Sequence, residues 1–131
     1  MTTLDTLDPE LLANLTATLA TIGPKGDPQL TGVWFLVEDG HILISATGQR
    51  QKTKNLAANP SCSLLIYSPN TENYYVEIRG TATVVPDNDY VVADRIAVRY
   101  DADFRTYDGP DSTRTIIDIT PERFLITDVR G

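Results

Sequence analysis

The chain has 131 residues and a net charge of −7, which argues against general nucleic-acid binding because a phosphate backbone needs a broad basic surface. One cysteine and one histidine exclude an intramolecular disulfide and a zinc site of the usual composition, so no metal site is expected. A hydrophobic fraction of 41% suffices for one packed core, and we expect a single domain over residues 1–131.

The first half of the chain predicts a short helix followed by strands. Asp8 is a good N-cap and Pro9 suits the first helical position, so we expect a helix over Pro9–Leu15. A strand near residues 18–23 and the turn GPKGDP follow. The segment QLTGVWFLVED alternates and predicts one strand, which the tight turn EDGH joins to a returning strand, HILISA.

The second half predicts two more helices and further strands. GQRQKTKNLAANP is helix-like, SCSLLIYS is a strand, and YYVEIRGTATVVP is a long strand in which Gly80 indicates a bulge. DNDYVVADRIAVRY has helical spacing, and residues 101–112 form a polar loop, either solvated or a mobile lid. TRTIIDITPERFLITDVRG predicts two final strands around TPE. Six or seven antiparallel strands with short helices favour a mainly β barrel, which leaves few exposed edges.

A basic turn stands out in this acidic chain. In SATGQRQKTKNL, Arg50 and Lys52 follow a strand end and a glycine, where exposed backbone amides can point at an anion. Basic side chains on a short helix often do no more than form its solvent-exposed face. Here the neutral donors Ser45, Thr47 and Asn55 lie nearby, and converging donors with positive charge are what a phosphate needs. The turn therefore predicts a phosphate site, although it matches neither GxxxxGK[ST] nor GxGxxG.

The segment GDPQLTGVWFLVEDGHILISATGQRQKTKNLAANPSCSLLIYS, with YYVEIRGTATVV and TPERFLITD after it, resembles the flavin/deazaflavin split β-barrel family, the relatives of pyridoxamine 5′-phosphate oxidase. Within that family it is similar to the actinobacterial branch that uses coenzyme F420. The resemblance implies a six-stranded antiparallel split barrel of the FMN-binding type, which forms a homodimer with two cofactor sites at the interface.

The resemblance also implies the cofactor-binding residues. Arg50 and Lys52 would hold the cofactor phosphate, supported by Ser45 and Asn55, and Tyr75 of the partner subunit would cover the ring. Residues of the PQLTGVW strand would line the ring. The complete implied set is Gln29, Thr31, Gly32, Val33, Ser45, Ala46, Arg50, Lys52, Asn55 and Tyr75.

No nucleophile, base and oxyanion constellation is visible, so no catalytic residue is assigned; this fits chemistry carried by a cofactor. We expect an F420-dependent oxidoreductase that transfers a hydride to a small electron-poor substrate such as an enone, quinone or tetrapyrrole, with the Thr31 hydroxyl as a candidate donor to the acceptor. Alternatives are an FMN-binding relative, or a non-catalytic carrier of F420 or heme. An oligonucleotide-binding barrel is disfavoured by the acidic charge.

The remaining predictions concern single side chains and location. Cys62 is interpreted as a small buried hydrophobe, His41 as an exposed turn residue and Trp34 as a packing residue. Arg95 and Arg99 would meet aspartates or the anionic tail of the coenzyme. With no run of about 20 apolar residues and no basic and apolar leader in MTTLDTLDPELL, we expect a cytoplasmic protein without a membrane span.

Overall fold

The computed structural model describes residues 1–129. These residues fold into seven strands and three α-helices, with a short 3-10 helix at Phe104–Thr106. The helices are α1 (Pro9–Leu12), α2 (Gln51–Ala58) and α3 (Val91–Tyr100). The strands are β1 (Ala17–Ile22), β2 (Pro28–Val33), β3 (Leu36–Glu38), β4 (His41–Thr47), β5 (Ser61–Tyr67), β6 (Tyr74–Pro86) and β7 (Arg114–Asp128).

All seven strands form one antiparallel sheet in the order β2-β1-β5-β6-β7-β4-β3. The strands at the two ends of this order, β2 and β3, are consecutive in the chain and are separated only by Trp34 and Phe35. A sheet whose first and last strands are joined so closely has to curl on itself. The mainly β, antiparallel barrel is therefore confirmed, but with seven strands instead of the six that the resemblance implied.

The predicted strand QLTGVWFLVED breaks at Trp34 and Phe35, where side chains of α3 take over the backbone hydrogen bonds of Phe35. The amide of Phe35 donates to the Tyr100 hydroxyl (2.8 Å), and its carbonyl accepts from Arg99 Nη1 (2.7 Å). The same guanidinium donates to the carbonyls of Leu12 and Asn14. The expectation that Arg99 meets an aspartate is thus wrong, and its contact with the coenzyme tail stays a prediction.

Two other local predictions are corrected. The first helix ends at Leu12, not at Leu15, and residue 15 lies exposed before β1. Arg95 forms its ion pair with Glu38 (2.8 Å) instead of with an aspartate. Both corrections follow from contacts that join distant parts of the chain, because Arg99 holds the carbonyls at the end of α1 and Glu38 comes from β3.

The two predicted C-terminal strands are one continuous strand, β7. A register shift between Arg79 and Gly80 leaves Glu122 as an extra residue, so that Gly80 pairs with Pro121 and Arg79 with Arg123. The bulge lets the strand accommodate a proline, which has no N–H for the ladder. The predicted bulge at Gly80 is confirmed, and it explains why TPE does not end the strand.

Gly80→Ala is expected to destabilise the fold by about 1–3 kcal/mol, the range for overpacking in a tight site. A Cβ at Gly80 would overlap the backbone carbonyl oxygen of Thr120, which no rotamer change can relieve. Gly32→Ala is the matched control, because its Cβ would meet only the Thr16 methyl at 3.9 Å. Urea unfolding of both variants tests this; equal stability of the two variants would contradict the close approach at Gly80.

The hydrophobic residues form two clusters on opposite sides of the sheet. Most lie inside the barrel, which α1 closes with Leu11. The second cluster packs α3 against the outer face of β4, through Leu43, Ile96 and Phe104, with Trp34 at its edge. No helix in residues 1–129 is both long enough and apolar enough to cross a membrane.

Cys62 lies buried on β5 with its Sγ 3.7 Å from the carbonyl oxygen of Gly80, which agrees with the interpretation as a small hydrophobe. Burial raises the pKa of this thiol to about 11, and the charge of Glu122 contributes. Because the thiolate is the reactive form, we expect Cys62 to react with a disulfide reagent at pH 8 only after unfolding. Rapid stoichiometric labelling of the folded protein would contradict this expectation.

Candidate functional site

A cavity of about 420 Å³ lies between the end of β4, the start of α2 and the segment that leads into β7. This volume is within the range of roughly 300–1,000 Å³ that is usual for small-molecule sites. Three parts of the chain form its wall: the β2 end, the β4–α2 connection and residues 104–114. The lining residues are Gly32, Val33, Trp34, Ile44, Ser45, Ala46, Thr47, Arg50, Lys52, Phe104, Tyr107, Asp108, Ser112 and Arg114.

Some, but not all, of the predicted cofactor-binding residues line this cavity. Gly32 and Val33 lie at the end of β2, and the others belong to β4, to the turn after it and to the first turn of α2. Gly32 is exposed on the outer face of the sheet while Val33 is buried, since neighbouring residues of a strand face opposite sides. The predicted residues that line the cavity are Gly32, Val33, Ser45, Ala46, Arg50 and Lys52.

Arg50 and Lys52 give the cavity a local positive charge. Arg50 is the N-cap of α2, and Lys52 is half-buried in its first turn. Burial lowers the pKa of Lys52 from its ordinary value, and the charge of Arg50 lowers it further. Neither side chain belongs to an ion pair within residues 1–129.

Cations at a helix N-terminus repel the positive end of the helix dipole, so this arrangement costs stability in the free protein. The first backbone N–H groups of α2, those of Gln51 and Lys52, have no partner within the helix and are available to a ligand. A bound anion would satisfy these donors and neutralise both side chains. The donor set at this turn therefore fits a phosphate group.

Asn55 and Gln29 are predicted site residues that lie outside the cavity. The Asn55 amide nitrogen donates to Thr21 Oγ1 (3.1 Å) and Gln29 Oε1 (3.2 Å), and its oxygen accepts from Gln51 Nε2 (2.7 Å). This network ties α2 to β1 and β2. In the described chain these two amides position the helix, and their predicted contact with a cofactor stays a prediction.

Thr31 and Tyr75 also lie outside the cavity. The Thr31 hydroxyl oxygen is buried, with no hydrogen-bond partner in the described part of the chain. Tyr75 lies on β6, on the outer face of the sheet, where its ring packs against Tyr67 with centroids 4.9 Å apart. Its predicted role is to cover the ring in the site of a partner subunit, so that role depends on how two copies of the chain assemble.

The sequence did not reveal that residues 104–114 form a wall of the cavity. Asp108 and Arg114 make a buried ion pair there, and the Tyr90 hydroxyl donates to the same carboxylate. Burial alone would raise the pKa of Asp108, but the hydrogen bonds from Arg114 and Tyr90 hold it below its ordinary value. This segment had been predicted as a solvated loop or a mobile lid, whereas the ion pair holds it against the barrel.

The aromatic part of the wall comes from Trp34, Phe104 and Tyr107. Trp34 stacks on Tyr100 with ring centroids 4.5 Å apart and planes at 7°, and Phe104 lies tilted against it at 5.8 Å. Trp34 is thus a packing residue, as predicted, and it faces the cavity as well. The spacing of Phe104 and Tyr107 in an otherwise polar segment was the available signal that this loop has an inner side.

Comparison with known proteins gives one family. The sequence profile described as pyridoxamine 5'-phosphate oxidase matches residues 4–128. A solved F420 reductase is similar at 30% identity with a TM-score of 0.79, over 89% of this chain and 94% of that one. None of the curated proteins matches the sequence.

Two further solved structures are similar. The conserved hypothetical protein Rv2991 from Mycobacterium tuberculosis has 26% identity and a TM-score of 0.79, over 99% of this chain and 87% of its own. A putative pyridoxamine 5'-phosphate oxidase from Listeria innocua has 21% identity and a TM-score of 0.70, over 93% and 95%. At that identity the Listeria protein supports the fold alone.

Proposed function

Because this chain belongs to the pyridoxamine 5'-phosphate oxidase family, we propose that it is an F420-dependent reductase of small, electron-poor organic molecules. Its fold is that of flavin- and deazaflavin-type oxidoreductases. The observation that carries the proposal is the pair Arg50 and Lys52, which lacks an ion-pair partner within residues 1–129 and lines a cavity with an aromatic wall. The similar F420 reductase favours the deazaflavin over FMN.

The residues present fit such a coenzyme at both of its ends. Arg50, Lys52 and the first N–H groups of α2 would hold the phosphate, with Ser45 as a further donor. Gly32 and Val33 would lie along the ring, since they line the same cavity from a different strand, β2. Gln29, Thr31 and Asn55 are proposed to support this wall from behind.

A reduced deazaflavin supplies a hydride, and the protein supplies binding, orientation and electrostatics. The chain's own contribution would be to fix the phosphate with Arg50 and Lys52, and to line the place of the ring with the β2 end. Trp34 and Phe104 exclude water from the apolar side of the cavity, where an acceptor would lie.

The test is to mix the purified protein separately with F420 and with FMN. Trp34 is the one tryptophan of the chain and lines the cavity, so quenching of its fluorescence reports binding there. We expect tight binding of F420 and weaker binding of FMN, and tight binding of neither would overturn the proposal. Oxidation of reduced F420 with enones, quinones or tetrapyrroles then distinguishes a reductase from a carrier.

We also propose that the protein works as a homodimer through the outer face of β2, β1, β5 and β6. The strand registers put Leu30, Gly32, Tyr67 and Tyr75 on this one face. Leu30 is 68% exposed and Tyr67 is 50% exposed. The cavity reaches this face at Gly32, so a second copy seated here would bring its own Tyr75 toward the ring.

Leu30→Glu is expected to convert the dimer to a monomer and to weaken coenzyme binding at the same time. The substitution places a charge at the proposed interface, where burying it unpaired is costly. Light scattering after gel filtration measures the mass, and Trp34 quenching measures the affinity. Val98→Glu, at a residue 81% exposed on α3, is the control for surface charge. A wild-type monomer that binds F420 tightly would contradict the proposed assembly.

A further inference from the structure

The guanidinium of Arg114, in the wall of the cavity, makes hydrogen bonds to two residues, Asp108 and Ser45. Its Nε and Nη2 donate to the Asp108 carboxylate, and its Nη1 donates to the Ser45 hydroxyl oxygen at 3.2 Å. The Phe104 ring lies against the guanidinium, 4.6 Å from ring centroid to Cζ. The side chain of Arg114 is 5% exposed and that of Asp108 is 6% exposed, so this fork is held in one place.

The chemistry of the guanidinium fixes the direction of the bond to Ser45. A guanidinium carries five N–H donors and no acceptor, so Ser45 Oγ has to be the acceptor. The hydroxyl hydrogen of Ser45 is then left for another partner. In residues 1–129 the Ser45 side chain makes no second hydrogen bond, and Ser45 lines the cavity. The hydrogen is therefore available to a ligand.

We propose that Arg114 is a positioning residue that fixes the Ser45 hydroxyl as a donor to a phosphate oxygen of the bound ligand. The inference rests on the proposed function for the identity of that ligand. Ser45 shares the cavity with Arg50 and Lys52, and the oxygens of a phosphate dianion only accept hydrogen bonds. The arrangement favours a fully ionised phosphate over a group that presents its own hydrogen at this point.

Thr115 provides the matched comparison within the same pair of strands. Its hydroxyl donates to the carbonyl oxygen of Ala46 at 2.7 Å, so its hydrogen is already used within the protein. Thr115 and Ser45 lie on the neighbouring strands β7 and β4, and Thr115 is outside the cavity lining. Removing the Thr115 hydroxyl should thus leave ligand binding unchanged, while removing that of Ser45 should not.

The experiment compares ligands with and without a phosphate in Ser45→Ala, Thr115→Val, Arg114→Lys and the double variant Ser45→Ala/Arg114→Lys. Dissociation constants for FMN and riboflavin, and for F420 and its phosphate-free chromophore, are measured by Trp34 quenching. We expect Ser45→Ala to weaken the phosphate-bearing ligands by about tenfold or more and to leave the phosphate-free ones unchanged. Thr115→Val should change neither.

The Arg114→Lys variant distinguishes a role of Arg114 in positioning the Ser45 hydroxyl from a purely structural role of its charge. A lysine retains the charge opposite Asp108 but lacks the planar fork that reaches both partners. It should weaken binding of the phosphate-bearing ligands in the wild-type background and have no further effect in Ser45→Ala. Additive losses would mean that Arg114 acts independently of Ser45 and would overturn the inference. Equal losses for riboflavin and FMN in Ser45→Ala would overturn the phosphate assignment.

Inorganic phosphate provides a readout that is independent of the coenzyme. It should raise the Tm of the wild type and of Thr115→Val, and raise that of Ser45→Ala by a smaller amount. Equal increases in all three proteins would overturn the inference, even where Arg114→Lys does not fold. If neither F420 nor FMN binds but the phosphate effect depends on Ser45 and is also reduced in Arg114→Lys, the proposed function fails and the positioning role stands.

Discussion

Arg50→Ala and Lys52→Ala are each expected to weaken coenzyme binding by about 1.5–3 kcal/mol, the contribution of one hydrogen bond to a charged group. Both cations line the cavity at the start of α2, and neither has an ion-pair partner within the described residues. Either substitution leaves the phosphate with only the remaining cation, the Ser45 hydroxyl and the helix N–H groups. Titration of F420 or FMN against Trp34 fluorescence measures the change.

The matched control for these variants is Lys54→Ala, which removes the same charge from the same helix. Lys54 is exposed and lies outside the cavity lining, as does Lys25 on the distant turn between β1 and β2. We expect both control variants to bind as the wild type does. Wild-type affinity in Arg50→Ala and in Lys52→Ala would show that the ligand's phosphate lies elsewhere, and equal losses in the controls would show a general charge effect.

Asp108→Ala is expected to destabilise the fold by about 3–5 kcal/mol, the cost of removing one partner of a buried ion pair. The substitution leaves the Arg114 guanidinium buried without a carboxylate and removes the acceptor of the Tyr90 hydroxyl. Against a total stability of about 5–15 kcal/mol, this is a large fraction. Urea unfolding, followed by Trp34 fluorescence and by circular dichroism, measures the change.

The control for this prediction removes both charges together. In Asp108→Leu/Arg114→Met no buried charge is left unpaired, so we expect a smaller loss of stability than in Asp108→Ala. An equally large loss of stability in the double variant would contradict this explanation.

The depressed pKa of Asp108 also makes the stability of the fold depend on pH. A carboxyl whose pKa is lower in the folded state stabilises at pH values above its unfolded pKa. This stabilisation should be present at neutral pH and be lost as the pH falls through the folded pKa of Asp108.

Local patterns were sufficient to predict most of the strands, because burial on one side of a sheet leaves a period of two in the sequence. The bulge at Gly80 was also predictable from the local sequence, because a glycine inside a strand often marks a bulge. The break at Trp34 and Phe35 was not predictable. It depends on Arg99 and Tyr100, which lie far along the chain and meet Phe35 only in the folded protein.

The site was predictable where its residues are close in sequence. Ser45, Arg50 and Lys52 belong to one strand end and the turn after it, so their common cavity follows from local geometry. Arg114 and Asp108 were missed because a charged pair in a polar loop looks the same in sequence whether it is buried or solvated. The hydrogen bonds of Asn55 to Thr21 and Gln29 were not predictable either, because these partners come from other elements, and its contact with a cofactor stays a prediction.

The join between β2 and β3 has a mechanical consequence. In the described chain β2 pairs with β1 alone and β3 with β4 alone, so no ladder of backbone hydrogen bonds crosses the line between them. The two edges are held together there by side-chain packing and by the contacts that Arg99 and Tyr100 make with Phe35, whereas other neighbouring strands share a row of backbone hydrogen bonds. The seam of the barrel in residues 1–129 is therefore closed by side chains instead of by a backbone ladder, and the fluorescent indole of Trp34 belongs to the connection that crosses it.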